Sequence, residues 1–196
     1  GAAVLNADDE AAMSLLPLIG SSQVVTYGLH GEAQVRGEIV DQSVEGTHFR
    51  VTAGTVSAIC CTPLIGQYNV SNALAAIASC RQLGLSLAEM VPGLERLTLV
   101  PGRMQRVSRG QSFEVWVDYA HTEDGLRGAI AAVRPLVTGR LTVVFGAGGD
   151  RDPSKRAPMG RAAAEADHAI VTSDNPRSEC PAAIAEQIVS GWPEAS

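Results

Sequence analysis

"RLTVVFGAGGDRDPSKRAPMGRAAAEADHAIVTSDNPRSE", residues 140–179, decides the fold. An apolar run, "RLTVVFG", reads as a strand. A glycine-rich turn follows, then a helical segment, "SKRAPMGRAAAEA", then a second apolar run, "HAIVTS". Apolar strands that alternate with helices of this length specify a doubly wound, mostly parallel α/β sheet. The alternation continues outward. Upstream, "FEVWVDY" reads as a strand and "TEDGLRGAIAAVRPLV" as a helix; downstream, "PAAIAEQIV" reads as another helix. Three strands fall short of the roughly four to six usual in a sheet. The chain also ends on "GWPEAS" without a closing strand, so the expectation is that more protein follows.

The first half has a different pattern. "AAVLNADDEAAMSLLPLIG" reads as a short strand into a helix, with Asp8 or Asp9 as its cap. After "VVTYG", three segments rich in β-branched residues follow: "AQVRGEIVDQS", "THFRVTAG" and "TVSAICCTPL". Gly46 and Gly54 punctuate them, which predicts antiparallel hairpins. Beyond Gly66 the period becomes 3.6: Val70, Leu74, Ile77 and Cys80 fall on one helical face. "SLAEMVPGLERL" reads as a second helix, interrupted near Pro92. Pro101 and Gly102 then mark the boundary between two domains, 1–102 and 103–196.

Composition narrows the function. A net charge of −6 and a pI near 5.2 argue against a nucleic-acid or anionic-membrane surface. No apolar run approaches the ~18–20 residues of a membrane span. The start shows no basic and apolar leader pattern, so a cytoplasmic location is expected. Cys60, Cys61, Cys80 and Cys180 lack a C-x-x-C spacing and read as reduced thiols, with Cys60 and Cys80 buried. The histidines His30, His48, His121 and His168 are scattered, and no metal site is expected in this segment. Lys155 is the only lysine, so the chain carries no G-x-x-x-x-G-K-[ST] phosphate loop.

In open α/β sheets ligands bind beyond the carboxyl ends of the strands. Three such ends are rich in polar groups: "VDYAHTED" (117–124), "FGAGGDRD" (145–152) and "TSDNPRSE" (172–179). Gly146 and Gly148 satisfy G-x-G, but Arg151 stands where a dinucleotide fingerprint needs Gly or Ala. The alternative is a tight turn that lets the next helix approach. Asn69 and Asn72, at i and i+3 near a helix start, suit either capping or the edge of a purine. Arg103 reads as a solvated arginine or as a phosphate ligand.

Together, "GQYNVSNALAAIA" (66–78), "PGRMQRV" (101–107), "VDYAHTEDGL" (117–126), "VFGAGGDRDPSKRAPMG" (144–160) and "TSDNPRSE" resemble the Mur ligases, in the same order and with similar spacing. Within that family the likeness is greatest to members that add meso-diaminopimelate. It covers nearly the whole chain. The resemblance implies that residues 1–102 are the later part of a central ATPase domain. Residues 103–196 would be an incomplete Rossmann-like C-terminal domain, and the chain an internal segment with its phosphate loop and magnesium ligands upstream. It implies ATP and Mg2+ as cofactors and a UDP-muramoyl dipeptide and meso-diaminopimelate as substrates, in a monomer. The activity implied is amide-bond formation through an acyl phosphate in peptidoglycan precursor synthesis, with the isolated segment inactive. Asn69, Asn72, Arg103, Asp118 and His121 match the family's nucleotide-side positions, and Arg103, Asp118 and His121 are the catalytic candidates.

"DNPR" matches the signature of the diaminopimelate-adding members. The far end of diaminopimelate carries a carboxylate as well as an ammonium, and a guanidinium can hold a carboxylate by two parallel hydrogen bonds. Arg151 and Arg177 are therefore the expected carboxylate partners. Asp174 and Asn175 would serve the amino groups or orient the arginines, and Pro176 would fix the direction of the loop. One departure stands out. Glu123 replaces the family's usual proline, which predicts a more acidic loop beside the phosphates. Two other readings remain: a binding module derived from such a ligase, and a nicotinamide oxidoreductase built on "GAGGDR".

Overall fold

The structure is a computed structural model that describes residues 1–193. The chain forms two compact units, Gly1–Val117 and a second that begins at Asp118.

In the first unit, strands β1 (Ala2–Asn6), β2 (Gln23–Gly28), β3 (Val35–Ser43), β4 (Gly46–Ala53) and β5 (Val56–Thr62) form one sheet in sequence order. β1 and β2 are parallel, and β3, β4 and β5 form the expected antiparallel hairpins. β2 and β3 are also parallel, although the link between them is short. Their overlap is limited to Tyr27↔Val35 and Gly28↔Arg36. The chain need not return along the whole strand, so no long crossover is required.

Asp9 caps the short helix α1 (Glu10–Met13) by accepting from Ala11 N (2.9 Å). Asp8 does something else. Its carboxylate accepts from the backbone N–H groups of Leu29 (2.6 Å), His30 (3.0 Å) and Gly31 (2.9 Å). Partial burial pushes its pKa up, but those three donors outweigh the burial and hold it below the ordinary value.

Helix α2 (Gln67–Arg81) lays Val70, Leu74 and Ile77 on the sheet, where they meet Val25, Val35, Phe49, Val51 and Cys60. Its face is the one the 3.6-residue period predicts. Burial pushes the Cys60 thiol up to about 11, which keeps it protonated and apolar in character. Helix α3 (Leu87–Glu95) opens on a capping box in which Ser86 N donates to Glu89 Oε2 (2.8 Å). The expected interruption at Pro92 does not occur. The helix runs through it to Glu95, although Pro92 has no N–H to give the Ala88 carbonyl and its ring crowds that oxygen.

"FEVWVDY" differs most from expectation. Only Trp116–Val117 is strand (β7), and it pairs antiparallel with β6 (Gln105–Arg106) instead of extending the parallel sheet. Arg106 secures this hairpin. Its fork takes both Glu114 oxygens (2.7 and 2.8 Å) and also reaches Glu45 (2.7 Å). The hairpin lies on the first unit's side of the division after Val117.

The second unit contains α4 (Glu123–Val133), β8 (Thr142–Phe145), α5 (Arg156–Ala163), β9 (His168–Val171) and α6 (Pro181–Val189). β8 and β9 are parallel, with Thr142↔His168 through Phe145↔Val171 in register. Alternation sends Val143, Phe145, Ala169 and Val171 toward Leu126, Ile130, Met159, Ile184 and Ile188 of the helices. Val144 and Ile170 lie on the other face and are exposed.

Candidate functional site

Because β8 and β9 are parallel neighbours, the loops 146–152 and 172–180 leave the same edge of the sheet. The two loops are joined directly. Gly149 N donates to the Asn175 carbonyl at 2.9 Å. A Cβ at Gly149 would lie 1.8 Å from Pro176 O, and one at Gly146 would lie 2.4 Å from Thr172 O. Side chains at either position are impossible without moving backbone. Close approach thus accounts for these two glycines, but the approaching partner is the neighbouring loop and not the following helix.

Asp150 and Arg177 both have φ of 49°, in the left-handed region. Such a conformation costs a non-glycine residue about 1–2 kcal/mol, so surrounding contacts must hold it. Asp150 accepts from Ser178 Oγ (2.6 Å) and Ser178 N (3.3 Å), and its own N–H donates to Glu179 Oε1 (2.6 Å). Arg177 Nη1 donates to the Gly149 carbonyl.

The substrate-side residues of the sequence reading converge here. A methyl group placed at Gly148 would lie 3.6 Å from Arg177 Nη1, 3.7 Å from Asn175 O and 3.8 Å from Arg151 Cγ. Arg151 and Asp174 are exposed, and neither side chain makes a hydrogen bond or ion pair among the described residues. Pro176 O accepts from Glu179 N (3.0 Å) and closes the turn. One guanidinium N–H of Arg177 is engaged by Gly149; its others meet no acceptor among the described residues. The loop therefore offers one anchored guanidinium and one that is exposed and unpaired among the described residues, beside an exposed carboxylate. That set can hold a small ligand that bears both signs of charge.

Beneath the loops lies a residue the sequence reading missed. Arg156 is 1% exposed. It donates to both oxygens of Glu179 (2.7 and 2.8 Å), to Gln187 Oε1 (2.6 Å) and to the Gly148 carbonyl (3.3 Å). The Arg156 guanidinium, joined by the Asp150 N–H, pulls the Glu179 carboxyl down to about 2. Glu179 in turn raises the pKa of Arg156. The unexplained acids of "DRD" also find roles: Asp150 binds the other loop, and Asp152 caps a short helical turn by accepting from Ser154 N (3.0 Å).

In the same unit, Asp118 is half-buried and His121 is exposed. His121 Nδ1 lies 3.0 Å from Tyr119 O, and its ring sits 5.1 Å from that of Tyr119 at 54°. Thr122 caps α4 by accepting from Gly125 N (3.1 Å). Glu123 occupies the first position of that helix, where a proline is equally at home. Its carboxylate pairs with Arg127 (2.9 Å) and so does not stand as a free negative charge.

In the other unit, the two asparagines part ways. Asn69 is buried, and its Nδ2 donates to Ile65 O (2.8 Å), which fastens the turn before α2. Asn72 is exposed. They do not present a matched pair of amides to one ligand. Arg103 is exposed, with its N–H on Val100 O (3.0 Å) and its guanidinium unengaged among the described residues. Among the described residues no group of three or more His, Cys, Asp or Glu could hold a metal ion, and no helix is long and apolar enough to cross a membrane.

Comparison with known proteins accounts for this architecture. Residues 1–80 match the Mur ligase middle domain, and residues 102–195 match the Mur ligase glutamate ligase domain. The chain is 45% identical over 195 residues to the UDP-N-acetylmuramoyl-L-alanyl-D-glutamate–2,6-diaminopimelate ligase of Gloeobacter violaceus, covering 98% of this chain and 40% of the relative. Its identity to the ligase of the same name from Geobacillus kaustophilus is 43% over 190 residues, covering 96% and 39%. A solved structure of a ligase of that name aligns over all of this chain and 41% of its own, with a TM-score of 0.61 and 34% identity. MurF from Acinetobacter baumannii shares the fold, with a TM-score of 0.76, 21% identity and coverage of 98% and 42%. The chain spans about 40% of the length of the curated relatives it matches. With its two matched domains in the family's order and its five motifs set on them, the chain belongs to the Mur ligase family.

Proposed function

We propose that the full-length protein carrying this chain is an ATP-dependent amide-bond ligase of the cytoplasm. It adds meso-diaminopimelate to UDP-N-acetylmuramoyl-L-alanyl-D-glutamate in peptidoglycan precursor synthesis, and it acts as a monomer without nucleic-acid or membrane partners. The observation that carries this reading is the stitched pair of loops. They hold Arg177 toward Gly149, with Arg151 and Asn175 close by and Asp174 exposed beside them. The names of relatives at 45% and 43% identity support it.

In such a reaction ATP phosphorylates a carboxylate, and an amine then displaces the phosphate. The chain's residues take part by binding and orienting. Arg177 and Arg151 receive the distal carboxylate of diaminopimelate, while Asp174 and Asn175 receive its ammonium end, which aims the reacting amine. The free guanidinium of Arg103 suits a phosphate, where developing negative charge needs a fixed positive partner. Asp118 would accept from ribose hydroxyls, with His121 on the same loop. Asn72 is free to face the adenine, whereas Asn69 supports the turn beneath it. Magnesium, when bound, would offset the charge between phosphates. No residue described here is assigned to it.

The test is an amine-dependent phosphate-release assay on the full-length protein, run with the UDP-muramoyl dipeptide and either meso-diaminopimelate or lysine. Product should form with diaminopimelate. Efficient use of lysine with diaminopimelate ignored would refute the reading.

A further inference from the structure

We propose that Arg156 is the positioning residue of the amino-acid-selecting loops, acting through Glu179 on Asp150 and Arg177 without touching substrate. The inference rests on the diaminopimelate reading above and goes beyond it by naming what sets the pocket's geometry. Three observations carry it. Among the described residues Arg156 is the largest side chain buried to this degree, and its charge is met by ligands from three different segments. Those ligands are Gly148 in one loop, Glu179 in the other and Gln187 on α6. Glu179 then passes the constraint on, since its Oε1 also accepts from the Asp150 N–H.

The chemistry favours a geometric role over a merely stabilising one. Replacing a buried ion pair by apolar groups is often neutral for stability, so burial energy alone does not require an arginine here. A planar fork that serves several acceptors at set angles does fix their relative positions. The two left-handed non-glycine residues of these loops, Asp150 and Arg177, each lie within two positions of an Arg156 ligand. A shift of Glu179 or Gly148 would therefore re-aim the Arg177 guanidinium, which is tied to Gly149. Lysine keeps the charge at position 156 but, as a point charge, cannot reproduce the fork.

The experiment compares Arg156→Lys, Glu179→Gln and Arg177→Ala in the full-length protein. Steady-state kinetics would be run for each of the three substrates, with amide hydrogen exchange measured at Gly149 and Asp150. Arg156→Lys should raise the KM for diaminopimelate about tenfold or more, as loss of a charge-assisted contact would. The KM values for ATP and the dipeptide should stay within about twofold. Exchange at Gly149 and Asp150 should quicken while α5 and α6 amides keep their protection. Glu179→Gln should show the same split, and it serves alone if Arg156→Lys fails to fold. A uniform rise in all three KM values, or unchanged exchange at the two loop amides, would overturn the proposal. The underlying reading is judged separately. If Arg177→Ala leaves the diaminopimelate KM unchanged while Arg156→Lys still frees the loop amides, the substrate assignment fails and the positioning role stands.

Discussion

Glu179 illustrates how a single carboxylate can tie a site to pH. Its pKa is lowered from the ordinary 4.5 to about 2 by the Arg156 guanidinium and the Asp150 N–H. A group depressed in the folded state contributes stability that is fully present above its unfolded value and is lost as pH falls through its folded value. The loop stitch should therefore persist unchanged from neutral pH down to about 4.5 and weaken progressively toward pH 2. Carboxyl carbon chemical shifts resolve this directly. A Glu179 midpoint near 4.5 would show that the pair with Arg156 does not form in solution. The sequence could not signal this residue. Charged side chains are rarely fully buried unless paired, and nothing in "SKRAP" separates Arg156 from an ordinary solvated arginine beside Lys155. Arg177 could be singled out as a candidate because it stands in "DNPR", and Arg151 because its guanidinium suits the same carboxylate; the structure adds that Arg177 is anchored on Gly149.

At the scale of elements, what was readable followed periodicity. Val70, Leu74 and Ile77 repeat at helical spacing and are buried, because a helix on a sheet has a single face to hide. "FEVWVDY" could not be placed the same way. Val115 and Trp116 favour a strand in a hairpin or in a parallel sheet alike. The choice is made by the cross-strand pair Arg106–Glu114, a contact between residues eight apart that periodicity does not encode. The capping box of α3 offers an element-level measurement. Ser86 Oγ lies 2.6 Å from Glu89 Oε2, and Ser86→Ala removes that hydroxyl. The substitution should destabilise the first unit by about 0.5–2 kcal/mol, read from denaturant midpoints. No change would mean that the box does not hold the helix start.

For the molecule as a whole, each unit has its own core, and the two faces of the parallel pair are unlike. Phe49 is fully buried among Val25, Val51 and Leu74, so Phe49→Ala should cost about 3–5 kcal/mol in thermal or chemical unfolding. Val144 is 60% exposed on the uncovered face of β8. Val144→Thr should shift stability by no more than about 0.5 kcal/mol. A large loss there would mean that this face is covered in solution. The apposition at Gly149 and Pro176 has a separate consequence for redesign. With backbone touching backbone, neither loop has room to adopt a new shape by itself. Transplanting one of these segments alone from a relative should therefore yield misfolded chimeras. Exchange of both segments together, with their arginine and glutamate partners, is the smallest graft that preserves the fit.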